Sequence, residues 1–212
     1  MSFQSTSFDS IDDLINEIKK NYKAINKKEK SVEVERTWLV DISIIDYLMA
    51  LPNVTTIYKE TFRGYLSVDP EVRYMCLKTF NGSTTKTKNF ISYKSNGTLS
   101  REEYDVEIAT DIAIKIAEMI KKDKSIHPFN GSKFIHKDYY KFTFTDNDLV
   151  LEVSIVDHSD DFVYMDIEFR NEHIAKTFRI PKFIKEFIIK EVTYDSAYKM
   201  KNYWKKTRLL NT

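Results

Sequence analysis

The segment SVEVERTWLV (31–40) sets Glu33 and Glu35 two residues apart. In an extended chain that spacing puts both carboxylates on one face, opposite Val32, Val34, Trp38 and Val40. The pattern recurs along the chain. Arg101, Glu103, Asp105 and Glu107 share a face in SREEYDVEI. Glu152 opposes Leu151, Val153 and Ile155, while Asp166 and Glu168 oppose Met165, Ile167 and Phe169. The cations follow the same rule. Lys137 alternates with Lys133 and Lys141, Arg73 shares a face with Glu71, and Lys94 ends NFISYK. Hard carboxylate oxygens suit Mg2+ or Mn2+, and Arg and Lys suit phosphate oxygens. A surface carrying both suits a metal–phosphate complex.

These residues need strands to present them. Alternation places strands near 32–40, 56–66, 71–80, 87–94, 100–108, 133–144, 148–156 and 162–170. NGS (81–83), SNG (95–97) and TDND (145–148) supply turns between them. Residues 1–7 read as loose. A helix follows from Ser10, its N-cap, with Ile11, Leu14, Ile15, Ile18 and Tyr22 on one side. A second covers 109–122 with Thr110 as cap, a short one begins at Pro181, and a last one with a basic face spans 196–210. The expected class is α+β: a closed or nearly closed antiparallel β-barrel with surrounding helices. Period-two counting leaves two arrangements open. Either the apolar faces form the core and the charges meet solvent, or the apolar faces pack outward under helices and the charges line a wet interior.

Length and composition narrow the classes. The 212 residues suit one well-buried domain, read as an N-terminal helical extension (1–30) and a main domain (31–212). With 33 basic and 32 acidic side chains the net charge is +1, which disfavours general nucleic-acid binding. Cys76 is the sole cysteine, so neither a disulfide nor a cysteine zinc site is expected within the chain. No apolar run has membrane length, and the expectation is a cytoplasmic protein without membrane association. Cys76, Trp38 and Trp204 read as packing residues, the four histidines as non-catalytic, and the last helix's basic face as solvated.

The order of the motifs resembles that of the CYTH domains, the triphosphate tunnel metalloenzymes. Glu33 and Glu35 match the family's opening E-x-E-x-K strand. FRGYL (62–66) is similar to its Q-G-Y-L segment and EVRYMCLK (71–78) to its Arg-bearing strand. ISYKSNGTLSREEYDVEI (91–108) resembles the Lys strand, glycine turn and R-x-E-Y-E strand. HKDYYKF (136–142), LVLEVSI (149–155), VYMDIEF (163–169) and KEVTYDSAYKMKNYW (190–204) are similar to the closing segments, in order. The resemblance implies an eight-stranded antiparallel tunnel that takes a triphosphate or nucleotide end-on. It implies Mg2+ or Mn2+ on Glu33, Glu35, Glu152, Asp166 and Glu168. It implies phosphate contacts from Arg73, Lys94, Arg101 and Lys137, with Glu33, Glu35, Lys94 and Arg101 closest to catalysis. Glu103 and Asp105 would also lie in the tunnel.

Three positions depart from the family pattern. Thr37, Met75 and Tyr139 stand where cations are expected. Three lost charge-assisted contacts, at roughly 1.5–3 kcal/mol each, would slow hydrolysis by on the order of a thousandfold or more, unless Lys133, Lys141, Lys199 or Lys201 substitutes. Metal-dependent hydrolysis of a triphosphate is the first expectation. A catalytically weak module that binds nucleotide or polyphosphate is the second, and cyclisation of ATP the third. The N-terminal helix is left open between a dimer contact, which would make a homodimer, and a lid.

Overall fold

The computed structural model describes residues 10–26, 31–147 and 149–209. Residues 1–7, Asp148 of the TDND turn and Leu210 of the last helix lie outside that set. The chain runs α1 (Ile11–Asn26), β1 (Val32–Val40), α2 (Ile44–Met49), β2 (Val54–Val68), β3 (Glu71–Asn81), β4 (Thr84–Lys94) and β5 (Ser100–Ile108). It continues α3 (Thr110–Lys122), β6 (Ile135–Phe144), β7 (Val150–Val156), β8 (Ser159–Glu168), α4 (Glu172–Thr177), α5 (Lys182–Lys185) and β9 (Ile188–Glu191). A 3-10 turn (Ser196–Tyr198) leads into α6 (Met200–Arg208).

Eight strands close an antiparallel barrel in the order β5-β4-β3-β2-β6-β7-β8-β1, with β1 returning to β5. β1 makes the closure in two halves. Val32–Val34 pair with β5, and Trp38–Val40 pair with β9 on the same edge. The other edge of β1 pairs with β8. Closure removes the unpaired edges that an open sheet would expose.

The apolar faces point outward. Tyr74, Ile91, Tyr104, Val106 and Ile108 pack beneath α1 (Leu14, Ile15, Ile18) and α3 (Ile112, Ala113, Ile116, Ile120). On the other side Trp38, Phe142, Leu151, Val153, Val163, Met165 and Ile167 pack beneath α2 and Ile184 of α5. Each fully buried aliphatic side chain contributes about 1.5–3 kcal/mol, so the helices are held by a shell outside the barrel. That resolves the choice left open by alternation. The polar faces line the lumen.

The local signals explain most elements. Ser10 accepts from the Asp13 amide at 3.2 Å and donates to the Asp13 carboxylate at 2.7 Å, capping α1. The expected cap of α3 is corrected: Ala109 occupies the N-cap with no side-chain bond, and Thr110 is already helical. β6 begins at Ile135 rather than 133, so Lys133 lies outside the strand and donates to the Asp123 carbonyl. α2, α4 and β9 were not foreseen. β9 is fixed to β1 by Arg36, whose Nε and Nη2 reach Glu191 at 2.9 and 2.8 Å, and by Thr193, which accepts from the Thr37 amide at 3.0 Å. Gly97 is required in the β4–β5 turn, since a Cβ there would collide with the Ser100 carbonyl. That turn sets Lys94 beside Glu103 in register. No described helix is long and apolar enough to cross a membrane.

Candidate functional site

The lumen contains a cavity of about 290 Å3. Glu33, Glu35, Arg73, Lys94, Arg101, Lys137, Glu152, Asp166 and Glu168 all line it, together with Glu103 and Asp105. Every residue singled out for metal or phosphate binding therefore faces one chamber. Tyr198, Lys199 and Met200 enter the lining, and Trp204 of α6 packs on Tyr65 at 5.3 Å.

The charges are sorted around the wall. On one side runs a chain of alternating sign. Arg73 pairs with Glu103 at 3.0 Å, Glu103 with Lys94 at 2.8 Å, Lys94 with Glu33 at 3.2 Å, and Glu33 with Arg101 at 2.9 Å. Arg101 reaches Glu35 at 3.8 Å. On the other side the carboxylates crowd. Glu35 is the register partner of Glu168, and Asp166 that of Glu152. Lys141 approaches Glu152 at 3.5 Å.

The electrostatics follow from that sorting. Burial, then repulsion from Asp166 and Glu33, pushes the Glu35 carboxyl up to about 7. Burial raises Asp166 and Glu168 too, with neighbouring acids adding to it. Burial also opposes ionisation of Glu33, but Lys94, a hydrogen bond with Glu103 and Arg101 together outweigh it and hold Glu33 well below the usual range. Burial pushes the Glu103 carboxyl up to about 7, against Lys94. Burial and then Arg63 push the Lys137 ammonium down to about 7, against Asp166 and Glu35. The wall thus holds three groups poised near neutrality.

The three departures also face the bore: Thr37, Met75 and Tyr139 line it. Their neighbours change the reckoning. Arg63 is the cross-strand partner of Met75, and Lys59 that of Tyr139. Both line the cavity, and Lys59 lies 5.4 Å above the Tyr139 ring. Two expected cations are therefore present one strand over. Neither was singled out from the sequence, although Lys59, Thr61 and Arg63 alternate on one face. Of the four lysines proposed as substitutes, Lys199 lines the bore, while Lys141 pairs with Glu152. Lys133 bonds the Asp123 carbonyl and Lys201 the Asn96 side chain. Thr37 serves Asp166 instead, as a hydrogen-bond donor that favours its ionised form.

The donor set fits a hard divalent cation. Glu35, Glu152, Asp166 and Glu168 offer only oxygen; burial chiefly, with neighbouring carboxylates adding to it, raises three of them, and a bound cation offsets both. The cationic side fits an anion. Arg63 Nε and Arg73 Nε are buried without a hydrogen-bond partner. In total eight carboxylates and seven cationic side chains line the cavity, a near balance that accepts a neutralised metal–anion complex better than a bare polyanion.

No family model matches the chain. No curated protein matches it either. Solved structures with a related arrangement come from Pyrococcus. The PH1819 protein of Pyrococcus horikoshii OT3 is 14% identical over 73% of this chain and 85% of its own, with a TM-score of 0.43. A conserved hypothetical protein of Pyrococcus furiosus is 17% identical over 83% and 94%, with a TM-score of 0.39. The PH1012 protein of Pyrococcus horikoshii OT3 is 16% identical over 84% and 99%, with a TM-score of 0.38. Likeness at this level carries no argument about activity. That argument rests on the bore.

Proposed function

We propose that this protein is a divalent-metal-dependent phosphohydrolase that takes the triphosphate end of its substrate into the bore, as a divergent relative of the triphosphate tunnel metalloenzymes. The observation that carries this reading is the lining of one cavity: carboxylates crowd on β7, β8 and β1 (Glu35, Glu152, Asp166, Glu168), and five cations (Arg63, Arg73, Lys94, Arg101, Lys137) share the remaining wall with Glu33, Glu71, Glu103 and Asp105. Mg2+ or Mn2+, when bound, would supply charge neutralisation and polarise phosphoryl oxygens. The chain's own groups do the rest. The cations hold the phosphate oxygens and stabilise charge as the bond to the leaving group breaks. Glu103, pushed up to about 7 and outside the set that would hold the cation, is matched to take the proton of an attacking water at neutral pH. Water oxygen bonds to the terminal phosphorus, the bridging P–O bond breaks, and inorganic phosphate leaves. No serine or cysteine nucleophile is required.

The reading is tested by phosphate release from inorganic triphosphate and nucleoside triphosphates, with Mg2+, with Mn2+ and with a chelator. Metal-dependent release supports it. Tight binding with no release in either cation selects the second reading, a binding module, which Thr37, Met75 and Tyr139 in the bore favour.

Arg63 separates these alternatives further. If it replaces the cation missing at Met75, Arg63→Met lowers kcat/KM by about tenfold to a hundredfold, the worth of one charge-assisted contact. An unchanged value would assign Arg63 to structure alone.

Stability and pH provide an independent check. The folded pKa of Glu35 is raised from 4.5 to about 7, so folding favours its protonated form. Its contribution is fully present below 4.5 and is lost as pH rises through about 7. A bound cation removes that loss. The rise in melting temperature on adding Mn2+ should therefore grow as pH passes from 4.5 through 7, and shrink in Glu35→Gln. A pH-independent rise, equal in both proteins, contradicts cation binding at Glu35.

A further inference from the structure

A second group of ligating side chains lies outside the barrel. His136 and Asp138 share the outer face of β6, opposite Lys137, and His158 comes from the β7–β8 turn. Ligand atoms of the three lie within 4.8 Å of one another. Asp138 Oδ2 is 3.7 Å from His136 Nδ1 and 3.3 Å from His158 Nδ1. Tetrahedral zinc with bonds of roughly 2.0–2.2 Å sets its ligand atoms roughly 3.3–3.6 Å apart. Both separations therefore match edges of such a site to within a few tenths of an ångström.

The surroundings resemble a built site. Tyr58 donates to Asp138 Oδ1 at 2.7 Å, fixing the carboxylate and leaving Oδ2 aimed at the imidazoles. Burial raises the Tyr58 phenol, so it remains a donor. His136 Nδ1 is buried with no hydrogen-bond partner. Burial lowers the His136 pKa ahead of any raising by Asp138, favouring the neutral, ligating imidazole.

The turn that presents His158 runs through two left-handed residues, Asp157 (φ 50°) and His158 (φ 58°). Neither is glycine, so the conformation needs support. Asp157 supplies it by accepting from Arg208 at 2.9 Å and from the His136 amide at 2.9 Å.

We propose that His136, Asp138 and His158 form a site for a divalent transition-metal ion of the zinc class, with its fourth position open to solvent on the His158 side. The imidazoles stack at 4.3 Å with 27° between their planes. Metal entry staples the β7–β8 turn to β6.

Co2+ is the probe, added to the full chain and followed by visible absorption. Four-coordinate cobalt with imidazole ligands absorbs strongly, and six-coordinate cobalt on carboxylates alone absorbs weakly, so the bore does not mimic the signal. The expected result is an intense band that saturates with added Co2+ and is displaced by Zn2+. The band is lost in His158→Ala and retained in Glu35→Gln. Tyr58→Phe weakens Co2+ binding about tenfold to a hundredfold. His158 is 69% exposed, so its removal leaves the fold in place, which circular dichroism verifies. Absence of the intense band, or its survival in His158→Ala, overturns the proposal.

Discussion

Replacing Glu35 by Gln is expected to slow metal-dependent phosphate release by about a hundredfold to a thousandfold without unfolding the protein. Glu35 stands where the acidic and cationic sides meet, the register partner of Glu168 and 3.8 Å from Arg101. Gln keeps its size and one carbonyl oxygen but removes the charge a divalent cation needs. It also resembles the protonated form that burial and Asp166 already favour up to about 7. The metal-free variant should therefore melt no lower than the parent at neutral pH, and higher above it. A large loss of rate with undiminished stability separates a working carboxylate from a structural one. Parent-like turnover in Glu35→Gln would remove Glu35 from the mechanism.

The second large effect is on folding. Arg208→Met should destabilise the protein by about 3–5 kcal/mol, because it leaves a buried carboxylate without its charge partner. The Arg208 guanidinium is 0% exposed and Asp157 only 4%. Arg208 Nη2 lies 2.9 Å from Asp157 Oδ2 and donates to the Phe134 carbonyl at 2.9 Å. The guanidinium also lies over the rings of Phe129 and Trp204, at 5.4 and 5.5 Å. Met retains much of the apolar stem, so the loss reports the ionic contact more than a cavity. The double variant Arg208→Met with Asp157→Asn should recover part of the stability, since neither charge then remains. Chemical denaturation measures both. A loss below about 1 kcal/mol, the range of an exposed pair, would contradict the assignment.

The barrel was legible because strict alternation of charged and apolar residues survives in strands that separate a wet bore from a helix-covered exterior. Glu33, Arg101, Glu152 and Asp166 stood out for that reason. What alternation cannot reveal is which face turns inward; that depends on the helices that cover the apolar side. Lys59, Thr61 and Arg63 alternate on one face, but cations on one face of a single strand are ordinary surface chemistry and mark no site by themselves. Their value appears only when register sets them beside Met75 and Tyr139. Arg208 was read as part of a solvated basic face, and the structure buries it instead, because the end of α6 folds back over the β7–β8 turn. The histidine cluster has no sequence spacing of its own. A left-handed turn brings His158 back over His136 across 22 residues, and nothing local announces that return. α2 and α4 are six residues each, too short for helical periodicity to register.

The most direct measurement is a crystal structure of the protein with Mn2+ and a non-hydrolysable triphosphate analogue, the metal located by its anomalous scattering. The account predicts manganese against Glu35, Glu152, Asp166 and Glu168, and analogue oxygens within hydrogen-bonding distance of Arg63, Arg73, Lys94 and Arg101. Manganese and analogue found only outside the barrel, with the ion pairs of the bore unchanged, would contradict it.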